Sequence, residues 1–361
     1  MSTNYEQRQL LSGAASIAGT IVGFITAAFP LIFLIMGKNN PDSSVAMVVT
    51  YSVIMVIAAI LVYISTWDQV HIERTGSFWK SIWKMIKDTL STFRWHIGMY
   101  VAGSGGLWLM SSISTFNFIY VMKKSTTWAA GLGTAMKPFE LISSIFAVWV
   151  VTKVGDTAWP YIWSMLLCSC IWFFNWQSMA WLIACAQMLL SFGEGIAYYV
   201  PQANYPYMPD VDELITYRRR EGIISGAQTM AGCLVRGIVT FISGSVISAT
   251  GLVKGRMSQP DSVQPGLVLM MLIGVYSLEL VAIWCSRHMK ADKTALEIVD
   301  KEVQRIHNGG KMADVDPHVK SVCEMLTGFD YQHLFGHNNV GYKDHKVEPA
   351  KAHINNHWYE L

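Results

Sequence analysis

The sequence predicts an all-α polytopic membrane protein of about eight transmembrane helices. Three observations carry this. Hydrophobic residues make up 52% of the 361 and charged residues 14%, where a soluble domain carries about 25% charge. Eight apolar segments are long enough to cross a bilayer, which takes about 20 helical residues each. Between the sixth and seventh lies a dense charge block, Met208–Ser225, holding Asp210, Asp212, Glu213, Arg218, Arg219, Arg220 and Glu221. A charge block between two apolar runs of membrane length reads as a surface loop, and its three arginines assign it to the cytoplasmic face.

The spans run Gly13–Met36, Val45–Thr66, His96–Val121, Trp128–Val151, Ala158–Phe174, Met179–Pro201, Ile223–Thr250 and Gly266–His288. The fifth is the shortest, and Pro201 marks the end of the sixth, because proline cannot continue a helical hydrogen-bond ladder. The first 12 residues lack the basic region and cleavage site of a signal peptide, so the first apolar run is expected to be a real span. An even count puts both termini on one side. With the arginine block cytoplasmic, that side also receives Arg8, Arg74, Lys80, Lys84, Lys87, Arg94 and Lys153. The other side receives Lys38, Lys123, Lys124, Lys254 and Arg256. The bias supports a multi-pass chain of the cell membrane with cytoplasmic ends.

This divides the chain into two spans (1–66), a linker (67–95), six spans (96–288) and a polar cytoplasmic tail (289–361). In the linker, Phe78, Ile82, Met85 and Ile86 oppose Lys80, Lys84 and Lys87. That pattern suits a basic amphipathic helix along the inner leaflet, and equally a solvated connecting helix. The tail opens with a charged helical pattern over Ala291–His307, broken by Gly309-Gly310. Its histidines, including His333 and His337 at i,i+4 spacing, read as solvated rather than metal-binding.

A net charge of +2 points to no nucleic-acid partner. Cys168, Cys170, Cys185, Cys233, Cys285 and Cys323 form no CxxC pair, so neither a disulfide framework nor a metal site is expected. There is no GxSxG, HExxH, P-loop or GxGxxG, which leaves no foothold for an enzyme or a nucleotide-driven pump, and no cofactor.

Polar groups within spans are costly and mark either helix-to-helix contacts or a polar pathway. The candidates for a solute site are Asn117, Lys137, Glu140, Gln187, Glu194, Gln228 and Arg236, with Tyr198 near Glu194 as a surface on which a sugar ring can stack. Lys137 and Glu140, three apart, share one helical face and also read as a local ion pair. Gly19-xxx-Gly23 and Gly222-xxx-Gly226 predict close helix packing.

The run YMPDVDELITYRRREGIISGAQTM resembles the link between the tenth and eleventh helices of the glycoside–pentoside–hexuronide:cation symporters, the melibiose-permease-like branch of the major facilitator superfamily. Asp210, Glu213, Arg219, Arg220, Glu221 and Gly222 match its motif, while Tyr207 stands at the first acidic position. The start Ser2–Gly13 and the tail segment NGGKMADVDPHVKSVCEMLTGFDY are similar to segments of that family too. The resemblance implies a major facilitator-type bundle that symports a sugar or glycoside with Na⁺ or H⁺ by alternating access.

Matched this way, the eight spans correspond to helices five to twelve of twelve. The coupling-ion site, placed by the family on its second helix, would then lie on helices absent from this sequence. The alternative reading is therefore a truncated, non-transporting relative. Cys233 stands where the family carries a functional lysine, with Arg236 one turn on. The resemblance further implies that the cavity is lined by the third, fourth, sixth and seventh spans and that Glu279 is structural; the charged 210–222 motif, at the cytoplasmic rim, then suits ion pairs that gate that side, with a topology signal an equal reading for Arg218.

Overall fold

In lipid a backbone can satisfy its N–H and C=O groups only within a helix or a closed barrel, so apolar runs of this length become helices. The structure, a computed structural model, describes residues 5–36, 42–65, 91–154, 158–168, 180–217, 221–253 and 259–337. It is all-α, with no strand among those residues. A helix stands at each of the eight predicted segments: α1 Tyr5–Met36, α2 Asp42–Ser65, α3 Ser91–Phe116, α4 Thr126–Val154, α5 Ala158–Cys168, α6 Ala180–Asn204, α8 Glu221–Ala249 and α9 Val263–His288. Among the described residues, four helical stretches are by themselves long and apolar enough to cross a membrane: Thr126–Lys153, Trp181–Thr216, Ile224–Ala249 and Val263–His288.

Two groups of helices share the core. α4 packs on α1 and α6, and α5 on α6; α3 packs on α8 and α9. Contacts of α3 with α6 and of α5 with α9 join the groups. Small residues set the closeness. A Cβ on Gly195 of α6 would fall 1.9 Å from Ser143 Oγ and 2.4 Å from the Glu140 carbonyl oxygen of α4. One on Gly193 would fall 2.7 Å from the Ser164 carbonyl oxygen of α5. The glycines on either side of Glu194 thus let α6 lie tight between two neighbours. Among the described residues the paired glycines expected to do this do not: around Gly19, Gly23, Gly222 and Gly226 none of those residues comes within 4 Å of a Cβ position.

The charge block departs most from expectation. Its acidic half is not a solvated loop. α6 runs through Pro201 to Asn204, a 3₁₀ turn covers Tyr205–Tyr207, and Met208–Thr216 forms a further short helix, α7. Every residue of α7 is buried, including Asp210, Asp212 and Glu213 at 4–5% exposure. The continuation past Pro201 is possible because the missing N–H removes one rung, and the 3₁₀ turn ends the ladder four residues later. Arg218, Arg219 and Arg220, and residues 67–90 of the predicted 67–95 linker, lie outside the described residues.

The cover over α7 is the tail. α10 (Lys293–His307) and α11 (Pro317–Thr327) both pack against it. Each starts on an aspartate cap, Asp292 accepting from the Ala295 N–H at 2.7 Å and Asp316 from the His318 N–H at 2.8 Å. The tail through 337 is therefore a packed unit, where composition predicted solvated chain. The reason is its periodicity: Ala295, Leu296, Val299 and Val303 on α10, and Val322, Cys323 and Leu326 on α11, place one apolar face of each helix inward. His333 ends a 3₁₀ turn and His337 follows beyond it, so the two do not share a helix face.

Candidate functional site

A cavity of about 440 Å³ opens between α3, α4 and α6, within the range of small-molecule sites. Its polar lining comes from all three: Ser111, Ser114 and Thr115 of α3, Thr126 and Lys137 of α4, and Gln187, Ser191, Glu194 and Tyr198 of α6. Trp108 and Phe118 supply aromatic faces. The spacing follows from the helical repeat. Gln187, Ser191, Glu194 and Tyr198 recur every three or four residues and so form one stripe of α6.

Four of the eight predicted solute-site residues meet here: Lys137, Gln187, Glu194 and Tyr198. Glu140 sits beneath the lining at 8% exposure and pairs directly with Lys137. Its carbonyl oxygen accepts from both the Ser143 and Ser144 hydroxyls at 2.9 Å, one turn further on. Pro138 lies between the paired residues and cannot donate to the preceding turn, which loosens the ladder beside Lys137. The local-pair reading and the cavity reading are thus both realised: Lys137 reaches the cavity while held by Glu140.

Arg236 of α8 is outside the lining, and its guanidinium carbon lies 4.1 Å from the centroid of the Trp108 ring. It bears on the cavity through that tryptophan, by a cation–π contact. Gln228 does not reach the cavity: its Oε1 lies 3.1 Å from His96 Nε2, in the core between α8 and α3. Asn117 is fully buried in the π-helical turn Asn117–Val121 that ends α3, away from the lining. Position along a span does not by itself tell a cavity-facing side from a neighbour-facing one. What sequence reading missed are the hydroxyls of α3 and Trp108. Ser111, Ser114 and Thr115 recur every three or four residues, and that serine–threonine stripe was the available signal.

The second cluster is the junction of the 208–222 motif with the tail. α7 ends on Tyr217 in a left-handed conformation (φ 53°), leaving its last carbonyls without intrahelical partners. The Phe335 N–H donates to the Leu214 carbonyl at 2.5 Å and the Gly336 N–H to that of Ile215 at 2.8 Å. Gly336 has φ 83°, a conformation that favours glycine. Glu213 Oε1 lies 3.2 Å from His307 Nε2 of α10, and the Tyr217 ring meets those of His307 and Phe335 edge-on.

Within the tail, buried Glu302 accepts from Arg305 Nε at 2.8 Å and Nη2 at 2.7 Å, and from the Tyr331 hydroxyl. The hydrogen bond to Glu302 holds the Arg305 guanidinium well above its usual range, and burial followed by that same carboxylate does so for Tyr331. Burial likewise pushes the Cys323 thiol up to about 12. Of the remaining motif residues, Glu221 and Gly222 open α8.

A bundle of apolar helices around a cavity lined by hydroxyls, an amide, charged groups and aromatic rings is the form of a protein that carries a polar solute through a membrane. The chain belongs to the MFS/sugar transport protein family, whose sequence model matches residues 1–290. A comparison with curated proteins returned no match.

Proposed function

We propose that this chain serves the uptake of a sugar or glycoside across the cell membrane by symport with Na⁺ or H⁺, through alternating access. The observation that carries the proposal is the α3–α4–α6 cavity. Sugars are recognised by hydroxyls and amides that exchange hydrogen bonds with their OH groups, by carboxylates that accept them, and by aromatic faces. Ser111, Ser114, Thr115, Gln187 and Ser191 offer the first kind, Glu194 the second, and Trp108 and Tyr198 the third. In this reading Lys137 and Glu140 neutralise each other beside the solute, and Arg236 holds the Trp108 face in place.

The orientation we propose has both ends in the cytoplasm, which places α7 and the tail at the cytoplasmic rim. Asp210, Glu213, Arg219, Arg220, Glu221 and Gly222 then belong to a gate that opens and closes that side, with Glu213–His307 as one of its pairs.

The test is equilibrium binding of radiolabelled monosaccharides, disaccharides and aryl glycosides to the purified chain in nanodiscs. At least one is expected to bind saturably, with affinity weakened about 10-fold or more in Glu194→Gln, the loss of one charge-assisted hydrogen bond. A panel that binds wild type no better than Glu194→Gln would refute the site.

A further inference from the structure

We propose that Glu279 is a proton-binding site inside the membrane, separate from the sugar cavity, at the meeting of α9, α3 and α5. Its side chain is 3% exposed, and Oε1 is sealed from solvent without a hydrogen-bond partner. It lies near the middle of a 26-residue membrane-length helix, Val263–His288. Helices α3 and α5 lie close to it. On α3, a Cβ added to Gly106 would sit 3.6 Å from Glu279 Cγ, and one added to Gly103 would strike the Tyr161 hydroxyl at 1.8 Å.

The titratable group that senses Glu279 is Tyr161 of α5, with Cys168 of α5 and Cys285 of α9 beside that tyrosine. None is a cation, and no ion pair to Glu279 exists among the described residues. Tyr161 donates its proton to the Met99 carbonyl at 3.1 Å, so that hydrogen is already committed. His96, the imidazole of α3, is held by Gln228.

An unpaired carboxylate in such a place costs far more than a neutral acid, so the carboxyl is filled by a proton rather than by a metal ion, which needs several oxygen ligands. Release of that proton leaves a bare anion that water must reach, which forces α9 apart from α3 and α5. Since α3 also carries Trp108, Ser111, Ser114 and Thr115 into the cavity, proton occupancy at its back bears on the helix that lines the site.

The sign follows. If the packing has no partner for the anion, proton loss weakens the α9–α3–α5 contact, so stability is expected to fall as pH rises. The test uses the full chain in lipid nanodiscs, read by infrared difference spectroscopy with heavy-water exchange and by thermal unfolding across pH. The expected result is a protonated-carboxyl carbonyl band that persists at neutral pH and is absent in Glu279→Gln. With it goes a fall in wild-type unfolding temperature toward alkaline pH that is smaller in the variant. A band equal in both proteins, or missing from wild type at neutral pH, overturns the proposal. Should Glu279→Gln fail to fold, Glu279→Asp keeps the acid while shifting its band, and an unshifted band is equally fatal.

Discussion

Replacing Tyr331 by phenylalanine removes one hydroxyl and almost no volume, which makes it a sharp probe of how the tail is held on α7. The lost bond is to a carboxylate at 4% exposure whose other donors are both from Arg305. A hydrogen bond to a charged group contributes about 1.5–3 kcal/mol, and leaving that lone pair buried is the larger share of the loss. Undocking of residues 317–337 is then favoured by about 10- to 150-fold.

The Phe335 and Gly336 amides report it, because their acceptors are the end carbonyls of α7. Hydrogen exchange of the two amides, and of α11, is expected to accelerate together by that factor. Exchange changed by less than about 2-fold would show that Glu302–Arg305–Tyr331 contributes nothing to docking, since that ratio is under half a kcal/mol. Acceleration in α11 with the 335 and 336 amides untouched would break the claimed link from the triad to the cap.

Three further outcomes follow from the geometry. Gly195→Val drives a branched side chain into Ser143 and the Glu140 carbonyl; overpacking of this kind costs about 1–3 kcal/mol and is expected to lower the unfolding temperature and weaken sugar binding together. Lys137→Met strands a Glu140 side chain that is 10% exposed, and unfolding measurements are expected to show a larger loss than in Lys137→Met/Glu140→Gln, where the carboxylate charge goes too. At mildly alkaline pH, where an ordinary thiol with a value of about 8.5 is partly ionised, Cys323 is raised to about 12 and is expected to resist maleimide. Its labelling accelerates as pH rises toward that value, and at fixed pH in Tyr331→Phe.

Much of the bundle was legible because the bilayer acts one segment at a time. Each apolar run must close its own hydrogen bonds, so length and composition alone placed helices at Gly13–Met36 through Gly266–His288, most ends lying within about five residues of the structure; the first helix instead begins at Tyr5, in the polar stretch before its apolar run, and the fifth segment is a separate case. Only the part of that segment up to Cys168 is described. The Lys137–Glu140 pair was legible too, since three-residue spacing on a helix leaves the two side chains adjacent whatever surrounds them.

The cavity was half legible. Glu194 and Gln187 share a stripe with Ser191 and Tyr198, but nothing local separates them from Gln228, which spends its amide on His96, or from Asn117, which a π-turn holds in the core. Periodicity determined that Glu194, and the helix carrying it, would have a polar side; only the approach of α3 and α4 decided that this side faces a cavity.

The charge block Met208–Ser225 shows the same division. Its composition predicts a loop in water because buried charge is costly when unpaired. The structure buries its acidic half as α7, and it does so with partners 94 and 121 residues further on: His307 against Glu213, and the Phe335 and Gly336 amides on the last carbonyls. The sequence by itself determined which apolar segments become helices, since hydrophobicity is a property of each residue. Only the tertiary structure decided which polar groups are satisfied, since a hydrogen bond or ion pair belongs to two residues, and chain separation does not say which two.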